Sequence, residues 1–104
     1  MRLDISLENE VLYAGCKIGK KKVKGVERLS LQTPREDALP KIMANLERII
    51  AEADSRERIE ITGRMATWTY LVTVTRAMQS FNKVCFDAGD GGPMLVFPLE
   101  EGDE

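Results

Sequence analysis

Gly63 and Arg64 are the residues whose types and position most suggest chemistry. They follow Ile59–Thr62, a short apolar segment typical of a β-strand. If a helix begins just after them, its free N–H groups carry positive partial charge, and the arginine adds a planar set of donors suited to phosphate. The glycine lets a ligand approach the backbone closely. The pair therefore indicates an anion site at the end of a strand, and the alternative is a purely structural turn.

A second group of candidates comprises Trp68 and the segment Asp87–Gly92, with the sequence DAGDGG. Trp68 lies four residues after Arg64, and its ring either stacks on a base or belongs to the core. Asp87 and Asp90 place two carboxylates after a predicted strand, where ligands of open α/β sheets tend to bind. Such carboxylates can hold Mg²⁺ or Mn²⁺, or act as a base. The alternative for this segment is a plain hairpin turn, because Asp and Gly are turn formers.

Missing residue types exclude several classes of enzyme. The chain has 104 residues and no histidine, which removes the usual general base near neutral pH and any serine–histidine triad. Its two cysteines, Cys16 and Cys85, lie far apart and argue against a zinc site. Both lie in apolar segments, so we expect buried thiols in a reducing cytoplasm. The glycine-rich signatures of nucleotide-binding loops are also absent.

Charge is unevenly distributed along a chain whose net charge is only −2. Residues 100–104 (EEGDE) form an acidic tail, and six basic residues crowd residues 17–28. This basic patch is compatible with an anionic ligand, and the alternative is a solvated hairpin tip. We expect one domain over residues 1–99, followed by the tail. We expect neither a membrane span nor a signal peptide, because charged residues interrupt the first apolar residues.

The first part of the chain shows the alternation of β-strands. Apolar and polar residues alternate over residues 3–7 and again over residues 11–18, with a turn between them. This predicts an antiparallel N-terminal β-hairpin. The sequence GKKKVKG, at residues 19–25, predicts a loop or the tip of a ribbon, and residues 26–32 could form one more strand.

The clearest helix follows, but its start is ambiguous. Apolar residues recur at helical spacing from Leu39 to Ala53. We predict a helix over about 38–54, capped by Asp37, because this places Pro40 in the first turn, where its missing N–H does no harm. The alternative start has Thr33 as the cap and leaves Pro40 inside the helix, which is costly.

The second half predicts three more strands, at residues 59–62, 84–87 and 94–98. The pattern over residues 65–80 fits a helix face and a strand equally well, and its β-branched content favours a strand. The predicted fold class is α/β: a small single-domain mixed sheet with an N-terminal β-hairpin and two helices packed on the sheet.

Residues 59–97 resemble a known family, the small accessory proteins of type III CRISPR systems that act as ring nucleases. In that family a strand ends in Gly-Arg, a helix carries a tryptophan four residues later, and another strand ends in aspartate before a glycine turn. The segments ITGRMATWTYL and VCFDAGDGGPMLVF follow this order. The matching residues are Gly63, Arg64, Trp68, Asp87 and a glycine at 91 or 92.

The resemblance implies a function in antiviral defence. Family members bind cyclic oligoadenylate, typically the tetra-adenylate ring, and cleave it to linear products, which switches the defence off. Some are described as manganese-dependent RNA exonucleases, so the implied cofactor is none or Mn²⁺. The resemblance also implies that residues 65–80 form a helix. It implies a homodimer or a higher assembly around the ligand, with neither membrane nor DNA as a partner.

One departure bears on the chemistry. The family carries a catalytic histidine two residues after the tryptophan, and here that residue is Tyr70. Cleavage would then rest on alignment of the ribose 2′-hydroxyl, with Arg64, Asp87 and Tyr70 as the catalytic residues. The ligand-binding residues implied are Gly63, Arg64, Trp68, Asp90, Gly91 and Gly92. The alternatives are a sensor or sponge that binds without cleavage, and a small interaction domain that binds no nucleotide.

Overall fold

The computed structural model describes residues 1–89 and 91–98, and it divides them between two compact units. The sheet unit comprises residues 1–5 together with the chain from residue 53 onward, and the hairpin unit comprises residues 6–52. The elements in chain order are β1 (Arg2–Asp4), β2 (Ile18–Val23), β3 (Val26–Leu31), α1 (Arg35–Ala51), β4 (Arg58–Thr62), α2 (Thr67–Met78), β5 (Lys83–Asp87) and β6 (Met94–Phe97).

The sheet unit contains a mixed four-stranded sheet in the order β1-β4-β5-β6. β4 pairs in parallel with both β1 and β5, whereas β5 and β6 are antiparallel. Alternate side chains of the parallel strands are between 0% and 3% exposed, which places the core on one face of the sheet. Those side chains are Leu3, Ile5, Ile59, Ile61 and Val84. The predicted α/β class and mixed sheet are confirmed.

Residues 67–78 form a helix, which settles the segment whose pattern fitted two structures. β4 and β5 are parallel, and parallel neighbours need a crossover connection rather than a tight turn. Helix α2 supplies this crossover connection. The parallel pairing therefore outweighs the preference of the β-branched residues for a strand. Thr69, Thr73 and Ala77 form the buried side of α2. The Tyr70 ring packs edge-on against Phe86 of β5, with the ring centroids 5.3 Å apart.

The hairpin unit contains the β-hairpin, but not where the alternation predicted it. β2 and β3 pair antiparallel over six residue pairs, from Ile18 opposite Leu31 to Val23 opposite Val26. The two residues between them, Lys24 and Gly25, both have positive φ, as in the two-residue turns that match strand twist. The predicted ribbon tip is therefore confirmed. The hairpin predicted over residues 3–7 and 11–18 is wrong, because β1 pairs with β4 instead.

Residues 6–16 form turns rather than a strand, and asparagine side chains satisfy much of their backbone. The Asn9 side chain accepts a hydrogen bond from the Leu12 N–H (3.2 Å). The buried Asn45 amide of α1 donates to the carbonyl oxygens of Leu12 and Ala14, both at 2.9 Å. The apolar alternation here reflects side chains buried by a turn, which sequence spacing alone does not separate from a strand.

Helix α1 begins at Arg35, earlier than predicted, and includes Pro40. Pro34 occupies the cap position and has no side-chain cap hydrogen bond, so the preference for Asp37 as the cap is wrong. Thr33 does not cap the helix either, because its hydroxyl accepts the Lys17 N–H at 2.7 Å. Pro40 lies near the start of α1 on its exposed side, where the carbonyl left without an N–H partner is open to water.

Within the described residues, neither helix combines the length and the apolar content that crossing a bilayer requires. The acidic tail predicted over residues 100–104 lies outside the described residues. The single domain predicted over residues 1–99 stays a prediction beside the two compact units.

Candidate functional site

The turn after β4 is fixed by the hydroxyl group of Tyr70. Gly63 has a φ of +101°, a region that residues with a Cβ rarely adopt. The Tyr70 hydroxyl donates a hydrogen bond to the Gly63 carbonyl (2.5 Å) and accepts one from the Met65 N–H (3.3 Å). Tyr70 therefore holds both sides of Arg64 in place. Its predicted catalytic role stays a prediction, and the observed contacts make it a positioning residue.

Arg64 lies exposed at the centre of this turn. It takes part in none of the ion pairs found among residues 1–89 and 91–98. Helix α2 begins three residues later, and its cap residue, Ala66, offers no side-chain acceptor to the first N–H groups. Those N–H groups carry positive partial charge beside the guanidinium. The turn therefore places a guanidinium beside the first N–H groups of α2, and the predicted anion site stays a prediction.

Asp87 ends β5 with its carboxylate already bonded. One oxygen accepts the Gly89 N–H at 2.8 Å, and the other accepts the Arg2 guanidinium at 3.2 Å. The hydrogen bond from Gly89 lowers the pKa of Asp87 below its usual value, partial burial opposes the shift, and the contact with Arg2 adds to the lowering. Asp87 is therefore ionised at neutral pH and is a weak base, better suited to holding a cation or a donor than to taking a proton.

The sheet brings the two predicted halves of the site together. Thr62, the last residue of β4, lies directly opposite Asp87. The Thr62 hydroxyl also donates to the Asp87 carbonyl oxygen at 3.0 Å. Gly63 and the loop after β5 therefore leave the sheet from neighbouring positions at its carboxyl edge, where ligands of open α/β sheets bind.

The loop after β5 is compatible with both predictions made for it, a ligand-binding loop and a plain hairpin turn. Gly89, Gly91 and Gly92 all have positive φ, as glycine-rich turns require. A Cβ built on any of the three would meet no atom of the described residues within 4 Å, so these glycines leave room for a ligand on that side. Asp90 lies outside the described residues. Trp68 is half-buried, which leaves part of its ring accessible for stacking.

Sequence reasoning missed Arg2 and Glu60, which join Asp87 in one network. Arg2 lies 3.8 Å from Glu60 as well as 3.2 Å from Asp87, and Arg58 lies 3.5 Å from Glu60. These side chains project from the polar face of the sheet, beside a cavity of about 290 Å³ lined by Met1, Arg2, Arg58 and Glu60. The sequence signal for Arg2 was its place in the strand RLD. It could have been used only with the knowledge that β1 pairs in parallel with β4, which brings Arg2 close to Asp87.

A metal site finds no support within residues 1–89 and 91–98, because no three potential ligands cluster there. Both thiols in this part of the chain are free. Cys85 is buried as predicted, whereas Cys16 is only half-buried. That burial still raises the pKa of the Cys16 thiol, and the neighbouring Lys41 partly offsets the shift.

Comparison with protein-family models, curated proteins and solved structures finds no match to this chain.

Proposed function

We propose that this protein binds cyclic oligoadenylate, with the tetra-adenylate ring as first candidate, and cleaves it to linear products in the manner of the ring nucleases that residues 59–97 resemble. The observation that carries the proposal is Arg64, an exposed guanidinium that enters no ion pair among the described residues. An arginine left free at a fixed turn is poised for an anion.

The turn suits a phosphate because it is already ordered. Tyr70 bonds the residues on both sides of Arg64, so little backbone entropy is lost when a ligand binds. The start of α2 adds N–H donors with no side-chain acceptor. The half-buried Trp68, the second residue of α2, offers a surface for an adenine base. The repeated nucleotides of a ring would be matched by repeated subunits, so the proposal includes a cytoplasmic homodimer.

Cleavage in this proposal uses the ligand's own nucleophile. The ribose 2′-hydroxyl attacks the adjacent phosphorus, the bond to the 5′-oxygen breaks, and a 2′,3′-cyclic phosphate and a 5′-hydroxyl result. The 2′-hydroxyl proton leaves to solvent and a solvent proton reaches the 5′-oxygen, while Arg64 stabilises the charge on the phosphoryl oxygens. Asp87 assists only weakly as a base because its pKa is lowered. We therefore expect slow turnover that needs no Mn²⁺.

The test combines a gel shift with thin-layer chromatography on labelled cyclic tetra- and hexa-adenylate, with and without Mn²⁺. Arg64→Ala is expected to abolish the shift. The matched control is Arg35→Ala, which removes an equally exposed arginine from α1 in the hairpin unit. If Arg64→Ala and Arg35→Ala shift the rings equally well, Arg64 does not hold phosphate. Asp87→Ala is expected to retain binding and to reduce turnover.

A second candidate function is a sensor or sponge that binds the ring and leaves it intact. Two observations favour it: the chain contains no histidine, and both oxygens of the Asp87 carboxylate are already bonded. A shift with intact ring after prolonged incubation would support this function over the nuclease. No shift with either ring would leave a small interaction domain that binds no nucleotide.

A further inference from the structure

The hairpin formed by β2 and β3, called here the ribbon, is an exposed and strongly basic surface. Every residue from 20 to 29 is exposed. Residues 17–31 hold six basic residues and one acidic residue, Glu27. The basic residues are Lys17, Lys20, Lys21, Lys22, Lys24 and Arg28. The ribbon therefore attracts anions although the whole chain has a net charge of −2.

The two faces of the ribbon differ in their charge pairing. Residues directly opposite each other in an antiparallel pair lie on the same face. On one face Lys22 lies opposite Glu27, and the Lys20 ammonium lies 3.4 Å from the Glu27 carboxylate. On the other face Lys21 lies directly opposite Arg28. Like charges in this position repel each other, and an anion between Lys21 and Arg28 would relieve that repulsion.

The tip of the ribbon also carries a charge where the backbone disfavours it. Lys24 has a φ of +51° and is the only non-glycine residue with positive φ among the described residues. Asparagine, aspartate and glycine adopt this conformation with less strain, and they dominate such turns. Lysine at this position weakens the hairpin and adds a cation to its tip. A side chain that breaks a local rule of the fold is where a function is expected.

We propose that the ribbon lies in the major groove of double-stranded DNA, where Lys21, Lys24 and Arg28 reach the phosphates that border the groove. Six residues per strand make the ribbon about 17 Å long, and the major groove of B-form DNA, about 12 Å wide, admits a two-stranded ribbon. The sequence from 18 to 31 contains no aromatic residue on which an unpaired base could stack, which argues against single strands. The major groove of double-stranded RNA is too narrow to admit it.

This proposal departs from the sequence-based expectation that DNA is not a partner, and it does not rest on the proposed nuclease function. Its chemistry is electrostatic and independent of base sequence. With three phosphate contacts, from Lys21, Lys24 and Arg28, raising the salt concentration fourfold weakens binding by about 40-fold. Losing one contact lowers the affinity at 100 mM salt by about tenfold and reduces the salt slope by about 0.9.

The test is fluorescence anisotropy of a labelled 20-base-pair DNA duplex with the full chain at 25 and 100 mM KCl. Lys21→Ser and Arg28→Ser are each expected to lose about tenfold in affinity at the higher salt concentration. Lys24→Asn is expected to weaken binding similarly while raising the midpoint of urea unfolding, which separates the charge from the fold. The matched control is Lys20→Ser, which removes a lysine that is paired with Glu27 on the other face. It is expected to keep the wild-type salt slope.

Three results would overturn the proposal. The first is duplex binding that is absent or independent of salt, and the second is a loss with Lys20→Ser as large as that with Lys21→Ser. The third is tighter binding of single-stranded RNA or polyglutamate than of the duplex, which would assign the ribbon to another polyanion. Arg64→Ala is expected to leave DNA binding unchanged. The DNA-binding proposal is therefore independent of the proposal that Arg64 binds cyclic oligoadenylate.

Discussion

Replacing Tyr70 with phenylalanine removes one oxygen atom from α2 and keeps the aromatic ring. The lost oxygen donates to the Gly63 carbonyl at 2.5 Å and accepts from the Met65 N–H at 3.3 Å. The edge-on contact of the ring with Phe86 is retained, since it involves no hydroxyl group. The substitution therefore isolates the hydrogen bonds that hold the turn around Arg64.

The expected loss of stability follows from the two hydrogen bonds of the Tyr70 hydroxyl. A typical intramolecular hydrogen bond contributes about 1 kcal/mol net, and the longer bond to Met65 contributes less. Gly63 is half-exposed, so water partly replaces the lost donor. We expect Tyr70→Phe to lower the free energy of unfolding by about 1–2 kcal/mol. Under the proposed function the affinity for cyclic oligoadenylate falls as well, because Arg64 must then be ordered when the ligand binds.

Urea unfolding followed by tryptophan fluorescence measures this cost, since Trp68 is the single tryptophan and lies on α2. Tyr70→Leu is the companion variant, because it also removes the ring contact with Phe86 and is expected to cost about 1 kcal/mol more. If Tyr70→Phe unfolds within about 0.3 kcal/mol of the wild type, below the usual value of one hydrogen bond, the hydroxyl does not hold the turn.

Three further substitutions test neighbouring parts of the sheet unit. Thr73→Val replaces a buried hydroxyl that has no hydrogen-bond partner among the described residues, so urea unfolding should show a stability that is unchanged or higher by up to about 1 kcal/mol. A stability loss larger than about 1 kcal/mol would show that the hydroxyl has a partner. Gly63→Ala forces a Cβ into a φ of +101° and should cost about 1–2 kcal/mol, whereas a cost near zero would mean that the turn relaxes. The folded-state pKa of Asp87 is lowered, so the ionised carboxylate contributes its full stabilisation above about pH 4 and loses it as the pH falls below that value. Asp87→Asn should therefore reduce the fall of the urea-unfolding midpoint at acid pH. If the urea midpoint of Asp87→Asn falls as steeply below about pH 4 as that of the wild type, the Asp87 carboxylate does not contribute to stability.

The elements that the sequence predicted well are those with one dominant physical signal. The strand ending at Thr62 and the strand ending at Asp87 both lie where the apolar runs placed them. Because parallel strands end at the same edge, their following residues meet there, and the candidate site was predictable to that extent. The helix within residues 65–80 was not predictable from local preference, because threonine and valine suit a strand and only the parallel pairing of β4 with β5 demands a helix. The family resemblance implied a helix there, and that prediction is confirmed.

The parts that the sequence did not predict depend on partners distant along the chain. Alternation of apolar and polar residues identifies a strand but not the strand it pairs with. The pattern around Leu3 therefore fitted a local hairpin as well as the observed pairing of β1 with β4. The pairing of Arg2 with Asp87 follows only once β1 lies beside β4. The start of α1 was missed because Pro40 was assigned to the first turn, whereas the helix begins at Arg35 and includes Pro40.

During synthesis, β1 leaves the ribosome long before the strand it pairs with. Residues 5–57 separate β1 from its partner β4, a longer connection than the α2 crossover between β4 and β5 or the turns that join the other paired strands. Closing so long a loop costs more entropy than forming a local hairpin. We therefore expect β1 to join the sheet after the local pairs have formed. The contact of Arg2 with Asp87, which adds to the Gly89 hydrogen bond in lowering the pKa of Asp87, then forms late in folding.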